Sequence, residues 1–225
     1  MAAPARRRAW ATMARSHPSA FLLAAQLLSL LLYPLMDDST SGRLVFGAVA
    51  VVIVPLAVWV VNRSPFVSVV GWLLAIPALA LTLVGVLLEH DALLPVSALF
   101  ESALYFYAAG SLIAYMLRDA HVSADDLFAA GATFTLLAWA FAYAYFVCQA
   151  WYPGSFTGMV EPDRPRRWVE LLFLSFTNLS ATGIGDVIPL GSRARVLVML
   201  EQFAGVGYIA TVVSRLIGLG IARAR

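Results

Sequence analysis

The sequence predicts an all-α membrane protein of six transmembrane helices, with a re-entrant half-helix and an irregular loop between the fifth and the sixth. Three observations carry this. Hydrophobic residues fill 61% of the 225 positions and charged residues only 12%, too little charge to solvate a soluble domain of this length. The apolar residues gather into six runs of the length that crosses hydrocarbon, about 17–25 residues. Between the last two lies a run of about twelve, too short to cross, followed at once by Ser180-Ala181-Thr182-Gly183-Ile184-Gly185-Asp186.

The runs follow in order. The first spans about Ser19 to Met36, the second Leu44 to Val61 and the third Phe66 to Leu88. The fourth covers Leu93 to Leu117, the fifth Leu127 to Trp151 and the sixth Val196 to Leu219. The links Asp37 to Arg43, Asn62 to Pro65, Glu89 to Ala92 and Arg118 to Asp126 read as tight hairpins, with no soluble domain expected between spans or at either end. Pro55 and Pro77 fall mid-span and read as kinks, since neighbouring helices re-satisfy the freed carbonyls. The aromatic run Trp139, Phe141, Tyr143, Tyr145, Phe146 reads as packing and interface belt.

Arginine placement sets the expected orientation. Arg6, Arg7, Arg8 and Arg15 precede the first span and place the N-terminus in the cytoplasm. Six spans return the C-terminus to that side, where Arg215, Arg223 and Arg225 agree, while Asp37, Asp38, Glu89 and Asp91 occupy outer hairpins. Arg164, Arg166, Arg167, Arg193 and Arg195, on the outer side, run against the rule. The first span has no convincing cleavage site and reads as a retained anchor, with Trp10 to His17 along the interface. The expected location is a cell membrane crossed many times. All fifteen basic residues are arginine, a usage that fits a GC-rich bacterial genome.

Several classes are disfavoured. A formal charge of +2 is too small to argue for nucleic acid as a partner. The lone Cys148 cannot form an intrachain disulfide, and no Cys/His cluster has metal-ligand spacing, so neither a structural metal nor a cofactor is expected.

The short run, Trp168 to Leu179, follows a polar turret that begins at Pro153-Gly154. At 1.5 Å per residue it extends roughly 18 Å, the reach of a half-crossing helix. Arg166-Arg167-Trp168 would lie at headgroup depth, with Ser175, Thr177, Asn178 and Ser180 enriching the deep end. Irregular backbone at membrane depth is tolerated only where it is buried in protein or lines a watery cavity. A half-helix with its C-terminus inward offers the negative end of its dipole to a cation, and bare carbonyls can replace a cation's hydration shell.

At these residues the chain resembles the potassium channel superfamily in its bacterial six-span, single-pore-loop form. The family signature T-V-G-Y-G-D reads here Ala181-Thr182-Gly183-Ile184-Gly185-Asp186, and the likeness covers about Phe146 to Leu219. The resemblance implies that the carbonyls of Ala181, Thr182, Gly183 and Ile184 line a selectivity filter for transiently bound K+. Gly183 and Gly185 would adopt positive φ, and Asp186 would sit at the outer mouth or bond to the back of the filter. It implies a hinge at Gly205, twenty positions past Gly185, in an inner helix running from Arg195 through Glu201 to Gly207 and Tyr208. Two departures stand out. Ala181 replaces the signature threonine, and Ile184 replaces the tyrosine that braces the filter, filling some of its space without a hydrogen bond. Thr182, isosteric with valine, could bond to Ser175 or Asn178. Monovalent cation conduction with potassium favoured is expected, with permeation by Na+ left open.

The chain is thus read as a tail over residues 1–18, a four-helix domain over 19–126, and a pore domain over 127–225 of outer helix, turret, pore helix, filter and inner helix. The fourth span has no arginine and a single charge, Glu101, so voltage sensing by regularly spaced arginines is not expected. Glu101 and Glu201 are intramembrane carboxylates. Glu201 is expected to reach Ser175, Asn178 or Ser180, and Glu101 to bond to Tyr105 or Gln149, with direct pore or proton sensing as the alternative for Glu201. One pore loop cannot enclose an axial path, so a homotetramer in membrane lipid is expected, with Ala204, Gly205 and Gly207 at inner-helix contacts. Two other readings are disfavoured. Gly183-Ile184-Gly185-Asp186 also matches the G-x-G-D of intramembrane aspartyl proteases, but that chemistry needs a second aspartate within another span, and there is none. A secondary transporter would carry paired broken helices, and only one break is visible. No enzymatic activity is expected.

Overall fold

The computed structural model describes residues 17–32, 51–59, 65–88, 90–118, 123–215 and 217–218. The N-terminal arginines, the 1–18 tail up to residue 16, the first hairpin and half of the second run lie outside them, as do Arg223 and Arg225. The described chain is mostly helical: α1 (Pro18–Leu32), α2 (Pro65–Leu87), α3 (Leu94–Arg118), α4 (Ala124–Trp151), α5 (Trp168–Leu179) and α6 (Ser192–Tyr208). Residues 51–59 are helical as well. Among the described residues, α3, α4 and the helix from Ser192 to Val213 are long and apolar enough to cross a membrane.

Helix α4 is the centre of the packing, and its sequence explains why. It is apolar all round, the pattern of a helix surrounded by protein. Buried Ala132, Ala138, Ala140 and Ala142 leave room for α1, α3, α5 and α6 to approach its backbone. Its start lies at Ala124, earlier than the Leu127 expected. Ser123 and Asp126 form a capping box, Asp126 accepting the Ser123 amide at 2.7 Å while the Ser123 hydroxyl accepts the Asp126 amide at 3.2 Å. Asp125 in that first turn accepts both the backbone amide and the hydroxyl of Ser19, at 3.1 and 3.0 Å, docking the start of α1.

Helix α2 runs through Pro77 without interruption and packs on α3. Tyr105 of α3 meets Trp139 and Tyr143 of α4, ring centroids 5.8 Å apart in each pair, and Trp168 closes on the same two α4 rings at 5.9 and 5.3 Å. The aromatic run of α4 is therefore core packing at this level.

Two short strands correct the all-α expectation. β1 (Phe156–Gly158) pairs antiparallel with β2 (Val187–Pro189), Thr157 opposite Ile188. The turret and the chain leaving the irregular loop lie side by side in opposite directions, and pairing satisfies backbone groups that no helix takes up. α6 then starts at Ser192, ahead of the expected Val196, because its polar Ser-Arg-Ala-Arg turn is already helical.

Candidate functional site

The site is built where α5 wedges between α4 and α6. Helix α5 has the bounds read from the short apolar run, and Ser175, Thr177, Asn178 and Leu179 are buried in its last turns. Ser175 is held from both sides. Its hydroxyl lies 2.7 Å from the Ala138 carbonyl of α4 and bonds to the Glu201 carboxylate of α6, whose other oxygen accepts the Tyr145 hydroxyl. Glu201 and Tyr145 are fully buried, so three helices share one polar junction. The Glu201 reading holds for Ser175, but Asn178 instead accepts the Gln202 amide at 3.1 Å and Ser180 turns to the Thr177 carbonyl. The sequence places Tyr145 only in the aromatic packing run, not at this junction. The available signal was its spacing from Ala138, seven positions and hence the same face of α4.

The α5 C-terminus leads directly into the loop. The Thr177 carbonyl accepts the amides of Thr182 and Gly183, each at 3.0 Å, and the Thr182 hydroxyl at 3.1 Å. Thr182 therefore bonds neither to Ser175 nor to Asn178, because the loop doubles back over the last turn and brings Thr177 closer. Ala181 and Gly183 have positive φ, +59° and +64°, whereas Gly185 does not, a correction to the expected Gly183/Gly185 pair. The reversal begins one turn earlier, at Ala181, where the chain leaves the helix. Ala181 to Asp186 are all exposed in the single chain, Ile184 at 71%. The Asp186 side chain is exposed and makes no hydrogen bond among the described residues, and its carbonyl accepts the Met159 amide at 3.1 Å.

The turret is organised by a buried arginine. Arg166 donates to the carbonyls of Val160 (3.1 Å) and Arg164 (2.9 Å from Nε) and to that of Glu161, while its backbone exchanges bonds with the Gln149 side chain of α4. A Cβ at Gly158 would overlap this guanidinium. Arg164 grips Glu170 of α5 with two bonds of 2.8 Å and Glu161 with one of 2.7 Å, which raises the Arg164 pKa. Burial alone would raise the pKa of Glu170, but the Arg164 bonds and the Arg167 amide outweigh it and hold the carboxyl below its ordinary 4.5.

Glu101 bonds neither to Tyr105 nor to Gln149. It accepts the Thr82 hydroxyl of α2 at 2.7 Å, because Tyr105 is stacked among the α4 rings and Gln149 is engaged by Arg166. Gly205 lies against the α5 terminus. A Cβ there would overlap the Leu179 carbonyl oxygen and come within 2.8 Å of its carbon. α6 passes through Gly205 unbroken, and the irregular turn of the inner helix is a π segment at Ile209–Val213. In this conformation the glycine permits the close approach of α5, and Gly207 has no such neighbour within 4 Å. Just before the π segment, the Tyr208 hydroxyl donates to the Ala130 carbonyl of α4 at 2.6 Å.

Residues 132–220 match the ion channel family, starting further toward the N-terminus than the likeness read from the sequence. This stretch, from Ala132 within α4 to beyond the π segment, is an ion channel domain, the pore region of potassium-channel-like channels, and not an enzyme's domain. No match was found among curated proteins or among solved structures.

Proposed function

We propose, from the ion channel domain at residues 132–220, that this membrane protein conducts monovalent cations with potassium favoured, as a homotetramer without an arginine-based voltage sensor. The observation that carries the reading is the loop Ala181 to Asp186. It follows a half-length helix, its backbone reverses at Ala181 and Gly183, and its residues stand exposed in a single chain. Exposed backbone at this position calls for further copies around it. The inner helix supports the same conclusion: Met199, Phe203 and Val206 of α6 are exposed, Phe203 at 80%. In this reading the carbonyls of Ala181, Thr182, Gly183 and Ile184 form the ion path, and Gly185 and Asp186 lead to the outer mouth. Ser175, Thr177, Asn178 and Ser180 hold the pore helix and loop, and Glu201 serves as a strut. Residues 19–126 form a peripheral four-helix domain that completes six spans, with both termini cytoplasmic, and residues 127–225 form the pore domain.

The test is flux through purified protein in liposomes under a potassium gradient with sodium as competitor, wild type beside Gly183→Ala. Potassium flux that largely excludes sodium and is lost in the variant is the expected result. Equal potassium and sodium flux would discard selectivity and keep the pore. Flux unaffected by Gly183→Ala would remove the loop from the ion path.

A further inference from the structure

At the turret end of the bundle, the start of α3, the end of α4 and the start of α6 enclose an open cavity of about 470 Å³. That is the size of a small-molecule site. Its body is apolar, lined by Leu99, Val147, Cys148 and Val196 among others. The one hydroxyl deeper in, Ser102, is committed to the Ala140 carbonyl at 2.8 Å and offers a ligand little. At the mouth stands Arg193, exposed and without a carboxylate partner among the described residues. Its guanidinium lies over the Tyr152 ring, 3.8 Å from the centroid. Stacking uses the face of the guanidinium and leaves its edge N–H groups free for a phosphate.

We propose that this cavity binds one anionic phospholipid, an acyl chain lying against Leu99, Val147, Cys148 and Val196 and the phosphate held by Arg193. The polarity of the site decides the ligand class. A soluble ligand of this volume needs several convergent polar groups, and the body provides almost none. An amphiphile needs one charged end and one apolar tail, in the order found here. The cation lies at the helix ends, where headgroups sit, and the apolar lining runs inward along α4 and α6. The proposal rests on reading these helices as membrane spans and is independent of ion selectivity.

Cys148 makes the site measurable, because it is the only cysteine in the chain and lies in the lining. The full chain would be purified in neutral detergent, stripped of lipid, and its alkylation by N-ethylmaleimide followed as phosphatidylglycerol or phosphatidylcholine of identical chains is added. Phosphatidylglycerol should slow the reaction several-fold at mole fractions where phosphatidylcholine does not, and inorganic phosphate alone should leave the rate unchanged. Arg193→Gln should need about five to ten times more phosphatidylglycerol for half-protection, the loss of one charge-assisted contact. Leu99→Trp, which fills the cavity, should abolish the lipid effect. Equal protection by both lipids, protection by phosphate alone, or an unchanged response in either variant would overturn the proposal. A thiol already inert without lipid would overturn it too, since the cavity would then be closed or covered by a second copy. Potassium flux on the same samples separates this result from failure of the channel reading.

Discussion

Replacing Gly205 by alanine isolates what the inner-helix glycine does. In the wild-type geometry the new Cβ would sit 2.8 Å from the Leu179 carbonyl carbon and 2.9 Å from its Cα, where ordinary contact begins at 3.4 Å. The obstructing atoms are backbone at the end of α5, so no side-chain rotation relieves the overlap, and α6 must move away from the loop it supports. Overpacking of this kind costs about 1–3 kcal/mol. Alanine also gains helix propensity over glycine, about 0.5–1 kcal/mol, which would blur a single measurement. Gly207→Ala provides the control, because that position lies in the same helix and has nothing within 4 Å. The propensity gain cancels between the two variants, leaving a difference of about 1–3 kcal/mol, roughly tenfold in the folding equilibrium for each 1.4 kcal/mol. Denaturant titration in mixed micelles, followed by tryptophan fluorescence, reads it directly. Gly205→Ala should be the less stable of the two by that margin. Equal stability would refute the close-contact reasoning and return the glycine to a purely hinging role.

Three further predictions follow from the geometry. Glu201→Ala leaves the buried Tyr145 hydroxyl without its acceptor and removes the carboxylate from Ser175, which keeps only Ala138; the expected loss is about 1–3 kcal/mol, with Glu201→Gln intermediate, read in the same unfolding assay. An Ala variant as stable as wild type would contradict a strut role. Gly158→Ala should displace the Arg166 guanidinium and speed amide exchange through the turret, while exchange in α3 stays unchanged. Glu170, whose folded pKa is lowered, contributes stability that is present above its unfolded value near 4.5 and lost as pH falls through the folded value. Turret amide exchange, corrected for its intrinsic rate, should hold steady from neutral pH to about 5 and rise below about 4.5; Glu170→Gln should flatten that dependence.

What the sequence determined by itself was what depends on periodicity, length and bare composition. The membrane class follows from the scarcity of charge, and the short helix Trp168–Leu179 from a largely apolar run of twelve residues bounded by a basic cluster and a glycine loop. The channel likeness was carried by Gly183, Gly185 and Asp186, whose order along the chain is itself the signal. Partner choice was decided only by the tertiary structure, because buried polar groups bond to whatever the packing brings nearest, at sequence separations no local pattern encodes. Glu201 was legible as a buried carboxylate, yet Tyr145 reaches it from fifty-six positions away, and Glu101 found Thr82 across a helix pair. The same reason moved the positive φ from Gly185 to Ala181, where the loop folds back onto the Thr177 carbonyl. It also made Gly205 a contact point, since nothing in its own helix announces that the end of α5 will lie against it.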